Sequence, residues 1–249
     1  MPDRRGIVGV IRRLFEKKKT QELTCSVVVP AAGRSNRMGE DKLLLPLGDV
    51  PVLVRTLRAL EDCPYITEII VATREDLLVP IAQLCKDAAL YKVRKVVVGG
   101  ESRTASVLAG LREVDPDAEL VAIHDGARPL VTEEVISEVV LKAAQCGAAA
   151  PAVPVKDTIK RAVAGTVLST PERSELFAVQ TPQVFEHGLI LGALEKATAD
   201  GAELTDDCAA VERLGMPVQL TVGSYENIKL TTPSDLAVAM AILEGRGEL

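Results

Sequence analysis

The sequence predicts an α/β fold: a mostly parallel sheet with helices on both faces and a β-hairpin inserted late in the chain. Three observations carry this. Short β-branched runs alternate with segments of helical spacing from Ser26 to Val153, the rhythm of βαβ crossovers. That rhythm breaks over 154–169, where polar and apolar residues alternate on either side of Ala164-Gly165. Small and charged residues collect just after the apolar strands, where an open α/β sheet binds its ligands.

The first strand is Ser26-Val27-Val28-Val29, ended by Pro30, which has no N–H to give to a ladder. Ala31, Ala32 and Gly33 follow, residues small enough to let a ligand approach the backbone. Arg34, Arg37 and Lys42 come next, with Gly39 among them, so the strand runs into a cation-bearing loop suited to phosphate. Two common phosphate loops are excluded. Five residues separate Gly33 from Gly39 and Glu40 follows, which breaks the Walker A spacing. Ser35 stands where the dinucleotide fingerprint needs glycine.

A helix is expected over 50–60, starting near Pro51. A strand over 67–73 and a helix over 75–89 follow, with Pro80 tolerated only in the first turn of that helix. After a strand at 93–98, Gly99-Gly100-Glu101-Ser102-Arg103-Thr104-Ala105-Ser106 opens a helix with Ser102 as its N-cap. The fourth strand, 119–123, ends in His124-Asp125-Gly126-Ala127-Arg128-Pro129. Charge at the carboxyl end of an apolar strand favours function over packing. Asp125 suits ribose or substrate hydroxyls, or approach to a magnesium ion. Arg128 suits a ligand or a structural pair with Asp125. His124 points the other way and reads as structural.

A helix over 131–145 and a strand over 148–153 lead into the hairpin. Two strands alone are marginal in water, so a second subunit is expected to cover them. Residues 177–183 return to the main body. Helices follow over 186–197 and 208–214, the second capped by Thr205 or Asp206. After a strand at 217–222, Lys229 faces away from Ile228 and Leu230, and Pro233 starts a last helix through Leu243.

Composition bounds the function. The chain has 249 residues, 47% of them hydrophobic but only 2% aromatic, with a formal net charge of −6. An acidic chain without aromatic platforms is not a nucleic-acid binder. Five scattered cysteines without C-x-x-C indicate neither a disulfide framework nor a zinc site, and no protein metal ligand is singled out. Reduced thiols fit a cytoplasmic protein. No apolar run reaches membrane-spanning length. Residues 1–20 hold seven basic and two acidic side chains, net +5, with Ile7, Val10, Ile11, Leu14 and Phe15 at helical spacing. Residues 1–22 read as a basic, poorly ordered extension without firm membrane association. Residues 23–249 read as one domain with an arm at about 154–180.

The motifs have a family resemblance. They are Pro30-Ala31-Ala32-Gly33, Gly33-x-x-x-Arg37-Met38-Gly39 followed by Lys42, Gly99 to Ser106, His124 to Pro129, Gln180-Thr181-Pro182-Gln183, and Asn227-Ile228-Lys229-x-Thr231-x-Pro233. Together they resemble the 2-C-methyl-D-erythritol 4-phosphate cytidylyltransferases of the non-mevalonate isoprenoid pathway, from about Ser26 to Leu243. The resemblance implies a Rossmann-like α/β/α nucleotidyltransferase domain. It implies transfer of the cytidylyl group of CTP to methylerythritol phosphate, with release of pyrophosphate. It implies Mg2+ held mainly by the CTP phosphates and a homodimer with shared active sites.

The resemblance also implies roles. Pro30, Ala31, Ala32, Gly33, Gly100, Glu101, Ser106, Asp125 and Gly126 would bind nucleotide, with Ser106 and nearby backbone reading cytosine. Arg37 and Lys42 would stabilise charge, while Arg173 and Lys229 would position the incoming phosphate. Asp125, Arg128, Thr158, Thr181 and Thr205 would surround the polyol, with Thr158 and Arg173 reaching the neighbour's site. Glu172 departs from the family's frequent Asp and leaves Arg173 less firmly oriented. Two alternatives stand. A ribitol-5-phosphate cytidylyltransferase commonly reads Ala-Gly-Gly at 31–33. A non-catalytic nucleotide-binding protein would not need both Lys42 and Lys229.

Overall fold

A computed structural model of the chain describes residues 23–33 and 41–249. The basic segment 1–22 and, in the cation-bearing loop, Arg34, Arg37 and Gly39 lie outside the described residues. In chain order the elements are β1 (Cys25–Pro30), β2 (Pro46–Leu47), β3 (Val50–Pro51), α1 (Val52–Asp62), β4 (Ile66–Thr73), α2 (Leu78–Asp87), β5 (Val93–Val98), α3 (Arg103–Leu111) and β6 (Leu120–Ile123). Then come α4 (Glu133–Cys146), β7 (Ala148–Pro154), β8 (Arg161–Val163), β9 (Thr166–Ser169), β10 (Phe177–Val179), β11 (Gln183–Glu186), α5 (His187–Ala199), α6 (Cys208–Arg213), β12 (Gln219–Val222) and α7 (Pro233–Arg246).

The main sheet is mostly parallel. β1 lies between β6 and β4, β5 flanks β4, and all three pairings are parallel. The chain therefore steps from β1 to β4 and β5, then reverses to place β6 on the other side of β1. That reversal is a topological switch point, where open α/β sheets leave a crevice at the strands' carboxyl ends. Beyond β6 the sheet turns antiparallel. β11 runs against both β6 and β7, β10 continues along the same side of β7, and β12 pairs parallel on its other side.

The pleat divides the core. Val27 and Val29 of β1 join Leu53 and Leu57 of α1, Ile81 of α2, Ile136 and Val140 of α4 and Leu243 of α7. Val28, between them, joins Val107 and Leu111 of α3, Ile190 and Leu194 of α5 and Val211 of α6. Successive residues of one strand thus feed two hydrophobic layers, which is why the central strands are apolar throughout. Helix α3 sits close on the sheet: a Cβ at Gly110 would lie 2.4 Å from Val28 Cγ1. No helix among the described residues is long and apolar enough to cross a membrane.

Several sequence expectations shift here. Pro51 is the N-cap residue of α1 rather than part of the helix. Residues 75–77 form a separate 3-10 turn before α2, which leaves Pro80 in the first turn. Residues 177–186 form two strands that sequence reading did not resolve, joined across a cis Thr181–Pro182 peptide. The hairpin of β8 and β9 turns at Ala164 and Gly165, with φ of 46° and 80°, and every residue of its two strands is exposed.

Candidate active site

A cleft of about 1660 Å³ opens at the carboxyl ends of β1, β4, β5 and β6. Its wall is built from residues 30–33, 41–43, 74–76, 98–103 with Ser106, 125–127, and Lys229. Each of the four parallel strands contributes the loop that follows it. The sheet topology thus brings together residues far apart in sequence.

One side is mainly backbone and small side chains. The Ala31 N–H bonds to the Ala72 carbonyl at 2.7 Å, which carries the β1 pairing past Pro30. The Thr73 hydroxyl donates to the Ala31 carbonyl at 3.2 Å. Facing these, Ser102 caps α3 by accepting from the Ala105 N–H at 3.0 Å. The Ser106 hydroxyl donates to the Ser102 carbonyl at 2.9 Å and accepts from the Gly100 N–H at 3.1 Å, bracing the loop above it. Gly99 is needed for this closeness, because a Cβ there would lie 2.8 Å from Ser106 Oγ and 3.0 Å from Ala32 Cβ. Lys42 lines the cleft between Asp41 and Leu43. Asp41 fixes that short segment, taking Arg74 Nη1 at 2.8 Å on one oxygen and the Leu43 N–H at 3.2 Å on the other.

The other side is a charge network around Asp125. Lys229 Nζ meets Asp125 Oδ2 at 2.8 Å, Arg103 Nε meets Oδ1 at 3.1 Å, and Arg128 Nε stands 3.8 Å from Oδ2. The last distance is too long for a hydrogen bond; Arg128 instead donates Nη1–H to the Asn227 carbonyl at 2.6 Å. Arg103 also makes a bidentate pair with Asp207, at 3.0 and 2.7 Å. Burial opposes ionisation of Asp125, yet Arg103, Lys229 and Arg128 hold its carboxyl well below the usual range. Burial likewise works against the Arg103 charge, and Asp207 with Asp125 holds that guanidinium more firmly protonated than usual.

A polar layer lies behind Asp125. The Thr181 hydroxyl accepts from the Asp125 N–H at 3.1 Å and pairs with His124 Nδ1 at 3.1 Å, while His124 Nε2 meets the Arg128 carbonyl at 3.2 Å. A carbonyl only accepts, so Nε2 carries the proton and Nδ1 accepts from Thr181. Gln183 accepts from the N–H groups of Asp207 and Cys208 at 3.0 and 3.1 Å and donates to Asp206 at 2.9 Å.

The sequence profile described as 2-C-methyl-D-erythritol 4-phosphate cytidylyltransferase matches residues 25–245. The chain belongs to that family. A relative of that name from Desulforamulus reducens is 49% identical over 223 residues, spanning 88% of this chain and 95% of the relative. Another, from Caldanaerobacter subterraneus subsp. tengcongensis, is 46% identical over 229 residues, 89% of this chain and 99% of the relative. The crystal structure of 4-diphosphocytidyl-2C-methyl-D-erythritol synthase from Anaerococcus prevotii superposes with a TM-score of 0.81 at 32% identity. It covers 90% of this chain and all of that one, 100%. The α/β/α domain is thus the nucleotidyltransferase fold of the cytidylyltransferases.

The structure brings many of the expected residues of this family member to one cleft. Pro30, Ala31, Ala32, Gly33, Lys42, Gly100, Glu101, Ser106, Asp125, Gly126 and Lys229 all line it. Arg128 and Thr181 stand behind the wall: the Thr181 hydroxyl is committed to Asp125 and His124, and Arg128 Nη1 to the Asn227 carbonyl, while the buried Arg128 Nε has no hydrogen-bond partner among the described residues. Thr158 and Arg173 lie exposed on the arm, and Arg173 donates to the Lys156 carbonyl at 3.2 Å. Thr205 is exposed and does not line the cleft. The N-cap residue of α6 is Asp207 rather than Thr205 or Asp206, and its side chain makes no capping bond; the Asp206 carboxylate, one position earlier, accepts from the Ala209 N–H at 3.0 Å. Sequence reading passed over Arg103, Asp207, Arg74 and Asp41. Arg74 follows β4 directly, so the strand-end rule that singled out Asp125 applies to it too. Arg103 and Asp207 carried no local signal beyond capping positions.

His124 makes acid sensitivity measurable. Burial pushes its pKa down to about 4, against the pull of the Arg128 carbonyl. An unfolded histidine titrates near the ordinary 6.5. Its stability contribution is therefore complete above that value and is lost as pH falls toward 4. The loss should reach about 2 kcal/mol by roughly pH 5. Urea unfolding of the parent and His124→Gln at about pH 7.5 and about pH 5 checks this. The variant should lose less stability between the two conditions, and equal losses would mean that His124 does not titrate as its burial requires.

Proposed function

We propose that the chain transfers the cytidylyl group of CTP to 2-C-methyl-D-erythritol 4-phosphate, giving 4-diphosphocytidyl-2-C-methyl-D-erythritol and pyrophosphate. The supporting observation is one cleft at the switch point of the sheet. A side lined by backbone and small side chains faces a charged side, and Lys42 and Lys229 both stand on the cleft wall. A phosphate oxygen of the acceptor attacks the α-phosphorus, and the bond from that phosphorus to the bridging oxygen of pyrophosphate breaks. A phosphate monoester is largely dianionic at neutral pH, because its second pKa is about 6. No general base is needed, and catalysis consists of alignment and charge stabilisation.

Each residue has a place in this reading. Lys42, with Arg37 beside it in sequence, stabilises charge on the α-phosphate and leaving group. Lys229 and Arg173 receive the acceptor phosphate. Asp125, Arg128, Thr158, Thr181 and Thr205 shape the polyol side, by contact or by holding a neighbour. Among the described residues no group of three or more His, Cys, Asp or Glu side chains could hold a metal ion. A magnesium ion would take most of its ligands from phosphate and water in this reading. Such an ion would supply charge neutralisation at the phosphates.

The chain works as a cytoplasmic homodimer in this reading, with residues 23–249 as the catalytic domain and 154–180 as the dimerisation arm. Val163, Val167, Leu168 and Phe177 are 62%, 55%, 56% and 44% exposed, an apolar surface that a second copy would cover. A pyrophosphate-release screen tests the chemistry, pairing four nucleoside triphosphates with methylerythritol phosphate and ribitol 5-phosphate. CTP with methylerythritol phosphate should give the dominant rate. Equal turnover of ATP and CTP would remove the base-recognition assignment, and turnover of ribitol 5-phosphate alone would move the chain to that alternative.

A further inference from the structure

Arg103 belongs by sequence to the segment 99–106, which the functional reading gives to the base, yet its side chain reaches across to Asp125 and Asp207. It is the first residue of α3, immediately after the cap Ser102. Its guanidinium spends all three nitrogens on two carboxylates. Nε goes to Asp125 Oδ1 at 3.1 Å, while Nη1 and Nη2 go to Asp207 at 3.0 and 2.7 Å. Asp207 is only 2% exposed, and its own N–H is tied to Gln183, so the fork has a fixed anchor. With one oxygen of Asp125 occupied, Lys229 shares only the other, at 2.8 Å, and keeps 39% of its side chain exposed to the cleft.

We propose that Arg103 is a positioning residue for the acceptor subsite: it holds the Asp125 carboxylate in one rotation and shares its charge, which leaves Lys229 able to meet the incoming phosphate. Without the fork, both carboxylate oxygens turn toward Lys229 and Arg128. Lys229 is then held by Asp125 in competition with the acceptor. The assignment rests on the functional reading above. It separates two sites that the local sequence would merge, because the loss should appear in the acceptor and not in the nucleotide.

The test is steady-state kinetics of Arg103→Gln with each substrate varied at saturation of the other. A charge-assisted hydrogen bond of this kind is worth about tenfold to a hundredfold, so KM for methylerythritol phosphate should rise by that factor. KM for CTP should stay within about threefold of the parent. Arg103→Gln also leaves Asp207 as a buried carboxylate without its cation, which threatens folding. The double variant Arg103→Gln/Asp207→Asn removes both charges. It should recover thermal stability while keeping the raised acceptor KM. If the double variant regains the parental acceptor KM, Arg103 serves only to neutralise Asp207 and the proposal falls. It falls equally if the single variant keeps the parental acceptor KM or if both KM values rise together. A parent enzyme inactive with every polyol phosphate would instead overturn the functional reading, and this assignment with it.

Discussion

Lys42→Ala should lower turnover by about 10²–10³-fold, the usual cost of removing one donor aimed at transition-state charge. CTP affinity should change far less, since Ser106 and the Gly100 backbone that it braces lie on the loop after β5, apart from the segment that carries Lys42. The placement of Lys42 supports this expectation. The segment that carries it is pinned at Asp41 by Arg74 and the Leu43 N–H. The Leu43 carbonyl in turn accepts from the Leu53 N–H at 2.9 Å, at the start of α1. Lys42 therefore projects from a fixed backbone at the cleft wall. Single-turnover rates with saturating CTP, together with equilibrium binding of CTP alone, measure the two quantities separately. A variant whose turnover stays within a few-fold of the parent would make Lys42 an ordinary surface cation.

A mixed dimer of Lys42→Ala and Arg173→Ala chains should regain roughly a quarter of parental activity, although each variant alone should be nearly inactive. Lys42 lies on the cleft of its own chain, whereas Arg173 lies on the exposed arm, apart from that cleft. If the arm serves the neighbour, one site of the mixed dimer collects both defects and the other has neither. Random exchange makes about half the dimers mixed, and one of their two sites works. Were both residues to act within one chain, every site in the mixed dimer would carry a defect and no activity would return. Co-expression with two different tags, purification through both and a rate measurement give the answer. Sedimentation at assay concentration checks the premise, and a monomer there would remove it.

Much of this architecture was legible because its signals are local. Val27 to Val29 and Val93 to Val98 are β-branched runs of strand length, and Ser102 is a cap followed by helix formers. Ala164-Gly165 is a turn that the structure makes with positive φ at both residues. The four residues of β11 are a different case. Gln183 to Glu186 follow a proline and show no long alternation, and only pairing with both β6 and β7 makes them a strand. That information is not in the segment. The site divides in the same way. Asp125 and Lys229 stood out because charge at a strand end, or between two buried residues, is locally conspicuous. Arg103 and Asp207 are 104 positions apart and are joined only by the fold.

The base of the arm has a consequence for building chimeras. Gln180 to Gln183 are wired to three other segments: Gln180 to Ser224 and Asn227, Thr181 to His124 and Asp125, and Gln183 to Asp206, Asp207 and Cys208. Among the described residues the tip has no such ties, and a side chain built at Gly165 would meet nothing within 4 Å, although φ there is +80°. A foreign arm should thus be spliced between Pro154 and Phe177, outward of the β7–β10 pairing. Cuts beyond Val179 would carry part of the cleft's support along with the transplant.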